Sequence, residues 1–129
     1  MPLVKIEIIS GKSKVYKTKL MGIVHEALVN NFKIPDHDRR QRLIEYSNEN
    51  FEVGDRTENY TIIEITPFKG RSLDAKKSLY KEISINCKQE LGIEDNDLTI
   101  VLNEQPLENW GIRGGNPASE LNLGIDVKV

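Results

Sequence analysis

Apolar residues recur along this chain in two rhythms, and the switches between them mark out its elements. Leu3, Val4, Ile6 and Ile8 carry a period of two through Ile9, which predicts a strand, and Ser10-Gly11 turns the chain. From Ser13, a capping residue, the period becomes helical. Tyr16, Leu20, Val24, Ala27, Leu28 and Phe32 share one face, Lys14, Lys17 and Lys19 lie largely elsewhere, and the helix is expected to end near Lys33. Ile34-Pro35-Asp36-His37-Asp38 breaks it, and Gln41 to Tyr46 reads as a second strand. The polar stretch from Ser47 to Asn59, with Phe51 and Val53 as its anchors, is a connection. Tyr60 to Thr66 is the third strand, ended by Pro67. Lys69-Gly70-Arg71-Ser72 is a basic turn into a helix with the stripe Leu79, Ile83, Cys87 and Leu91, closed by Gly92. Asp97 to Asn103 gives a fourth strand, Trp110 to Gly115 a flexible glycine-rich segment, and Leu123 to Val129 a short alternating terminal strand.

The order βαβ, then βαβ, is a duplication. Sliding the chain on itself brings Leu3–Phe51 onto Ile62–Trp110 without a gap. Gly11-Lys12-Ser13 then meets Gly70-Arg71-Ser72, and Ile34 to Asp38 meets Ile93 to Asp97. Lys17 meets Lys76, Leu20 meets Leu79, Leu43 meets Leu102, Glu45 meets Glu104, and Phe51 meets Trp110. A long period seen only twice is not a solenoid. It predicts an α+β fold: two units about a pseudo-twofold axis, one shared sheet, both helices on one face, and right-handed crossovers. The whole chain, 1–129, is expected to be one domain made of units near 2–51 and 61–110 plus the terminal strand.

Composition narrows the function classes. At 129 residues and 38 % hydrophobic content the chain suffices for one core. No apolar run is long enough to span a bilayer, and the start lacks a signal peptide's basic-then-apolar pattern, so a cytoplasmic protein without a membrane partner is expected. A net charge of −2 argues against a nucleic-acid partner. Cys87, the single cysteine, sits on a helical stripe and reads as packing. His25 has no second ligand at a metal-binding spacing, so no metal is expected. Gly11-Lys12-Ser13 is not a phosphate loop, because its first glycine would have to stand where Ile6 does.

The candidate chemistry begins at Pro2. Proline directly behind an initiator methionine is left as the N-terminus when the methionine is trimmed, and it then carries a secondary amine. Such an amine titrates near 8 (~7.7–8.0) in model peptides, and burial or nearby cations favour its neutral, basic form. The plainer alternative is a proline that merely begins a strand. Lys12, Lys69 and Arg71 stand at helix N-termini, where their charge opposes the helix dipole; this suits anion binding, or else a solvated turn. Asp38 is either a partner of the amine or a turn cap, a job its mate Asp97 would share. Trp110 either lines a pocket, with Arg113 in the same one, or packs between subunits.

Proline after Met1, a strand, the turn Gly-(Lys/Arg)-Ser opening a helix, and Trp110-Gly111-Ile112 together resemble the tautomerase superfamily. Gly70-Arg71-Ser72 and Trp110-Gly111-Ile112 look like a fused 4-oxalocrotonate tautomerase, and Ile34-Pro35-Asp36-His37-Asp38-Arg39 is similar to the malonate semialdehyde decarboxylase group. The resemblance implies a homotrimer that needs no cofactor and acts on a small oxo-carboxylate. It matches Pro2 to the catalytic amine, Asp38 to the carboxylate beside it, and Arg71 to the arginine that holds the substrate carboxylate. Lys69 stands where the decarboxylase group has a second arginine, keeping the charge but losing the bidentate fork. Three functions follow as alternatives: keto/enol tautomerisation with neutral Pro2 as base, decarboxylation of a 3-oxo acid with protonated Pro2, and a non-catalytic trimeric binding protein.

Overall fold

The structure, a computed structural model, describes every residue from Met1 to Val129. Six elements make its body: β1 (Leu3–Ile9), α1 (Lys14–Phe32), β2 (Arg40–Tyr46), β3 (Thr61–Thr66), α2 (Leu73–Leu91) and β4 (Leu98–Leu102). The sheet runs β2-β1-β3-β4. β1 is parallel to β2 and β3 is parallel to β4, while β1 and β3 meet antiparallel in the centre, Leu3 opposite Thr66 and Glu7 opposite Ile62. The central antiparallel pair relates the two units by a pseudo-twofold.

Each unit forms for the same local reasons. Ser13 Oγ accepts the Tyr16 N–H at 3.1 Å to start α1, and Ser72 Oγ accepts the Ala75 N–H at 3.1 Å to start α2. Lys33 (φ 57°) and Gly92 (φ 68°) end them in left-handed conformations. Lys17 bonds Glu45 at 2.7 Å and Lys76 bonds Glu104 at 2.6 Å, so each helix is tied to its following strand segment by the same pair. The alternate residues Val4, Ile6, Ile8, Ile63 and Ile65 of the central strands are buried against Leu20, Val24, Leu28 and Phe32 of α1 and Leu79, Ile83 and Cys87 of α2. One face of the sheet is thus covered by both helices, which also pack on each other.

Two expectations are corrected. The segment Trp110–Gly115 is ordered, not flexible: β5 (Gly111–Ile112) pairs antiparallel with β6 (Asn116–Pro117). The turn between them takes Arg113, Gly114 and Gly115 through φ of 51°, 89° and 86°, which is why glycines follow Arg113. Residues Leu123–Val129 form no strand. Their alternation is real, since Leu123, Ile125 and Val127 pack on a second small cluster of Phe68, Trp110 and Ala118, but no strand of this chain runs beside them to complete a ladder. Short local bonds take its place: Asn122 Oδ1 accepts the Gly124 N–H at 3.1 Å and Asp126 Oδ1 the Lys128 N–H at 2.9 Å. The tail crosses the turn before α2 so closely that a Cβ on Gly70 would lie 2.9 Å from the Val127 carbonyl oxygen. The Ser72 N–H then donates to the Val129 oxygen at 3.1 Å.

Candidate active site

The pairing of Leu3 with Arg40 across β1 and β2 sets the first residues of the chain beside the 35–40 turn, and the antiparallel β1–β3 pair brings the end of β3 to the same place. The β5–β6 hairpin and the tail close over it. The result is a cavity of about 330 Å³ whose polar lining is His37, Asp38, Arg40 and Arg113 and whose apolar lining includes Phe68, Ile112, Leu123 and Ile125, with Met1 and Pro35 at its wall.

Asp38 is aimed by its own backbone. Its N–H donates to the Pro35 carbonyl at 3.0 Å, closing a tight turn over Asp36 and His37. Its carboxylate makes an ion pair with the Met1 amine through Oδ2, and Oδ1 lies 3.6 Å from Arg40 Nη1. The Asp38 side chain is only 14 % exposed, so both charges act on it across little water. Pro2 is buried directly behind Met1. Arg113 is held from the other side by donating to the Asn122 carbonyl at 3.0 Å. The cavity therefore offers the Met1 amine, Asp38 and Arg40 in mutual contact, the Arg113 guanidinium elsewhere in its lining, and an apolar remainder.

Not every residue singled out from the sequence meets there. Arg71 is 5 % exposed and points into the protein. Its guanidinium donates to the Phe68 carbonyl at 3.0 Å and to the Phe32 carbonyl at 3.3 Å, and it stacks 4.9 Å from the Phe32 ring centroid. Burial lowers its pKa from the ordinary value against the opposing charges of Glu104 and Asp126, yet an arginine remains protonated. Within the chain it braces the C-terminal end of α1 and the Phe68 backbone, and does not line the cavity. Lys69 is exposed outside the lining. Trp110 stands one layer back: its ring meets the Phe68 ring edge-on at 4.9 Å and its indole N–H donates to the Gln105 carbonyl at 3.3 Å. Lys12 lies beyond the far end of β1, about 20 Å of strand away, where it bonds Asn59.

Arg40, His37 and Phe68 are among the lining residues that sequence reasoning passed over. Arg40 stands two residues after Asp38, so in extended chain it shares Asp38's side, and that spacing was the available signal. His37 lies inside the turn already singled out. Among the remaining reactive groups, burial pushes the Cys87 thiol up to about 12, and no cluster of three or more His, Cys, Asp or Glu side chains converges to hold a metal.

A family model described as tautomerase enzyme matches residues 38–113, and a second with the same description matches residues 2–58. The chain belongs to the tautomerase family. Among curated proteins this tautomerase-family chain is 29 % identical to the probable tautomerase YusQ of Bacillus subtilis over 121 residues, 89 % of this chain and 95 % of that one. Among solved structures a native fused 4-OT superposes with a TM-score of 0.82 at 20 % identity, over 95 % of this chain and 99 % of that one. A malonate semialdehyde decarboxylase superposes with a TM-score of 0.80 at 21 % identity, over 89 % and 93 %. The last two are likenesses of fold, and the tandem βαβ architecture is shared with both. No helix is long and apolar enough to cross a membrane.

Proposed function

We propose that this protein interconverts the keto and enol forms of a small oxo-carboxylate without a cofactor, using Pro2, uncovered by loss of Met1, as its general base. The observation that supports this reading is the contact of the chain's first amine with Asp38, itself paired with Arg40, in a cavity that Arg113 also lines. Loss of Met1 removes its side chain from that lining and opens the cavity to the Pro2 nitrogen. Burial disfavours the ammonium form, and Arg40 shares the charge of Asp38 while Arg113 adds a second cation. In this reading Pro2 reacts from its neutral form. Neutral Pro2 takes a proton from the carbon beside the keto group, the electron pair moves to the carbonyl oxygen, and protonated Pro2 returns the proton to that oxygen. Arg113 and Arg40 hold the substrate carboxylate and meet the developing enolate charge, and Arg71 supports the wall from behind through the Phe68 carbonyl.

The protein works as a homotrimer in this reading. One fused 4-OT of similar fold is described as a symmetric trimer, and the sheet face away from the helices, with β2 and β4 as open edges, is the surface that assembly would cover. Sedimentation is expected to give three chains; a monomer at micromolar concentration contradicts it. A second reading has its own support. The contact between the amine and Asp38 favours a charged amine, which suits loss of CO₂ from a 3-oxo acid. The pH–rate profile separates the two. A tautomerase should turn over phenylpyruvate with a rate that rises with pH through one ionisation below about 8, and Pro2→Ala should cost about 100-fold or more. A rate that falls through that ionisation, with a 3-oxo acid consumed faster than phenylpyruvate is tautomerised, favours the decarboxylase.

A further inference from the structure

The turn that carries Asp38 is tied to the helix layer by a bond that its mate in the second unit lacks. His25 of α1 is 5 % exposed, and its Nε2 lies 3.3 Å from Oδ1 of Asp36, a residue whose side chain is otherwise 96 % exposed. A carboxylate only accepts, so Nε2 carries the proton and donates. Asp36 is the first central residue of the turn closed by the Asp38 N–H and the Pro35 carbonyl, His37 is the second, and Asp38 follows. Holding Asp36 therefore fixes the tilt of the two residues that enter the cavity. In the second unit the turn is closed in the same way, by the Asp97 N–H and the Glu94 carbonyl at 2.9 Å. There Ser84 stands in the place of His25, and Asp95 pairs instead with the half-exposed Lys88 at 3.6 Å. A tether to a buried helix residue exists only where the turn faces the cavity.

We propose that His25 and Asp36 are positioning residues: their hydrogen bond holds the 35–38 turn so that Asp38 meets the amine at the head of β1. A side chain as exposed as Asp36 contributes little to the core, and a bond from a buried donor to it is better explained by what it aims. This rests on the reading of Pro2 and Asp38 as active-site groups, and the experiment keeps the two apart. Pro2→Ala tests that reading: if phenylpyruvate turnover survives it, the active-site assignment fails by itself. With that control abolishing turnover, Asp36→Ala is expected to lower kcat about tenfold, with KM and the unfolding midpoint nearly unchanged, since small displacements of a reacting group are costly to rate. Asp36→Asn, which retains an oxygen acceptor for His25 Nε2–H, should restore kcat to within about twofold, as expected of a bond that positions through geometry. Exchange of the Asp38 amide hydrogen should quicken in Asp36→Ala and return to the native rate in Asp36→Asn. The proposal is overturned if Asp36→Ala turns over at the native rate, or if Asp36→Asn loses as much as Asp36→Ala.

Discussion

Asp38 and Asp97 occupy the same place in the two units, each closing the same turn, and they do different things. Asp38 leaves its turn toward an amine and a cavity. Asp97 is 3 % exposed and spends its carboxylate on the linker, accepting the Thr57 N–H at 2.9 Å and the Thr57 hydroxyl as well. The residue that matches Pro2 is Thr61, fully buried in mid-chain with its hydroxyl on the Asn59 carbonyl at 2.9 Å. Asn59 also receives Lys12, the mate of Arg71. The two units share a scaffold at both ends of the sheet, in the serine caps, the left-handed helix ends and the paired Lys–Glu bonds. They differ in what lies beside the turn. At one end the Met1 amine meets Asp38, and at the other the connecting peptide supplies Thr57 to Asp97 and Asn59 to Lys12.

Several substitutions break or sharpen this contrast, in falling order of effect. Asp38→Ala should lower turnover of an oxo acid by more than about tenfold while moving stability by less than about 1 kcal/mol, because it removes the carboxylate that, in the proposed reaction, faces the amine at the cavity and not the core. Asp97→Ala should do the reverse. It leaves a Thr57 N–H and hydroxyl without their acceptor, at a cost of about 2–3 kcal/mol in urea unfolding, with kcat near that of the native protein. Stability should also fall in alkali. The folded Cys87 thiol is raised from 9.0 to about 12 by burial, first, and by the charge of Glu90, so its contribution is complete below pH 9 and is lost as pH climbs toward 12. Tyr16, raised chiefly by burial, and Tyr46, raised chiefly by its bond to Glu7, act in the same direction. Cys87→Ala should flatten part of that slope in denaturation midpoints measured across this range. Smallest of all, Lys17→Ala and Lys76→Ala should each cost about 0.5 kcal/mol and lose that difference in high salt, since both ion pairs are partly solvated.

Much of this architecture was legible in the chain because each part has a local cause. Ser13 and Ser72 announce helix starts, Gly92 a helix end, and the self-alignment sets the unit boundary without any contact information. The site was legible only in part. Asp38 and Arg113 were picked out and line the cavity, but Arg71 lies inside the protein, because a side chain at a helix start can turn toward solvent or toward the carbonyls of a neighbouring helix end, and only packing decides which. Arg40 escaped notice because its spacing shows only that it shares Asp38's side, and that this side faces the cavity follows from the register of β2 against β1, a long-range fact. The tail was misread for a similar reason: alternation reports one buried side, whereas a strand also needs a neighbour to bond.

The central claim of the proposed function is that the Pro2 amine at one end of the sheet is the reactive group. Treating the purified protein with an electrophilic oxo acid such as 3-bromopyruvate, and mapping the product by intact and peptide mass, asks this directly. The account predicts a chain lacking Met1, a single adduct per chain on Pro2 that appears as activity disappears, and no adduct on Cys87, whose buried thiol stays protonated. A chain that retains Met1, or full inactivation with the adduct on any residue outside the cavity, would contradict it.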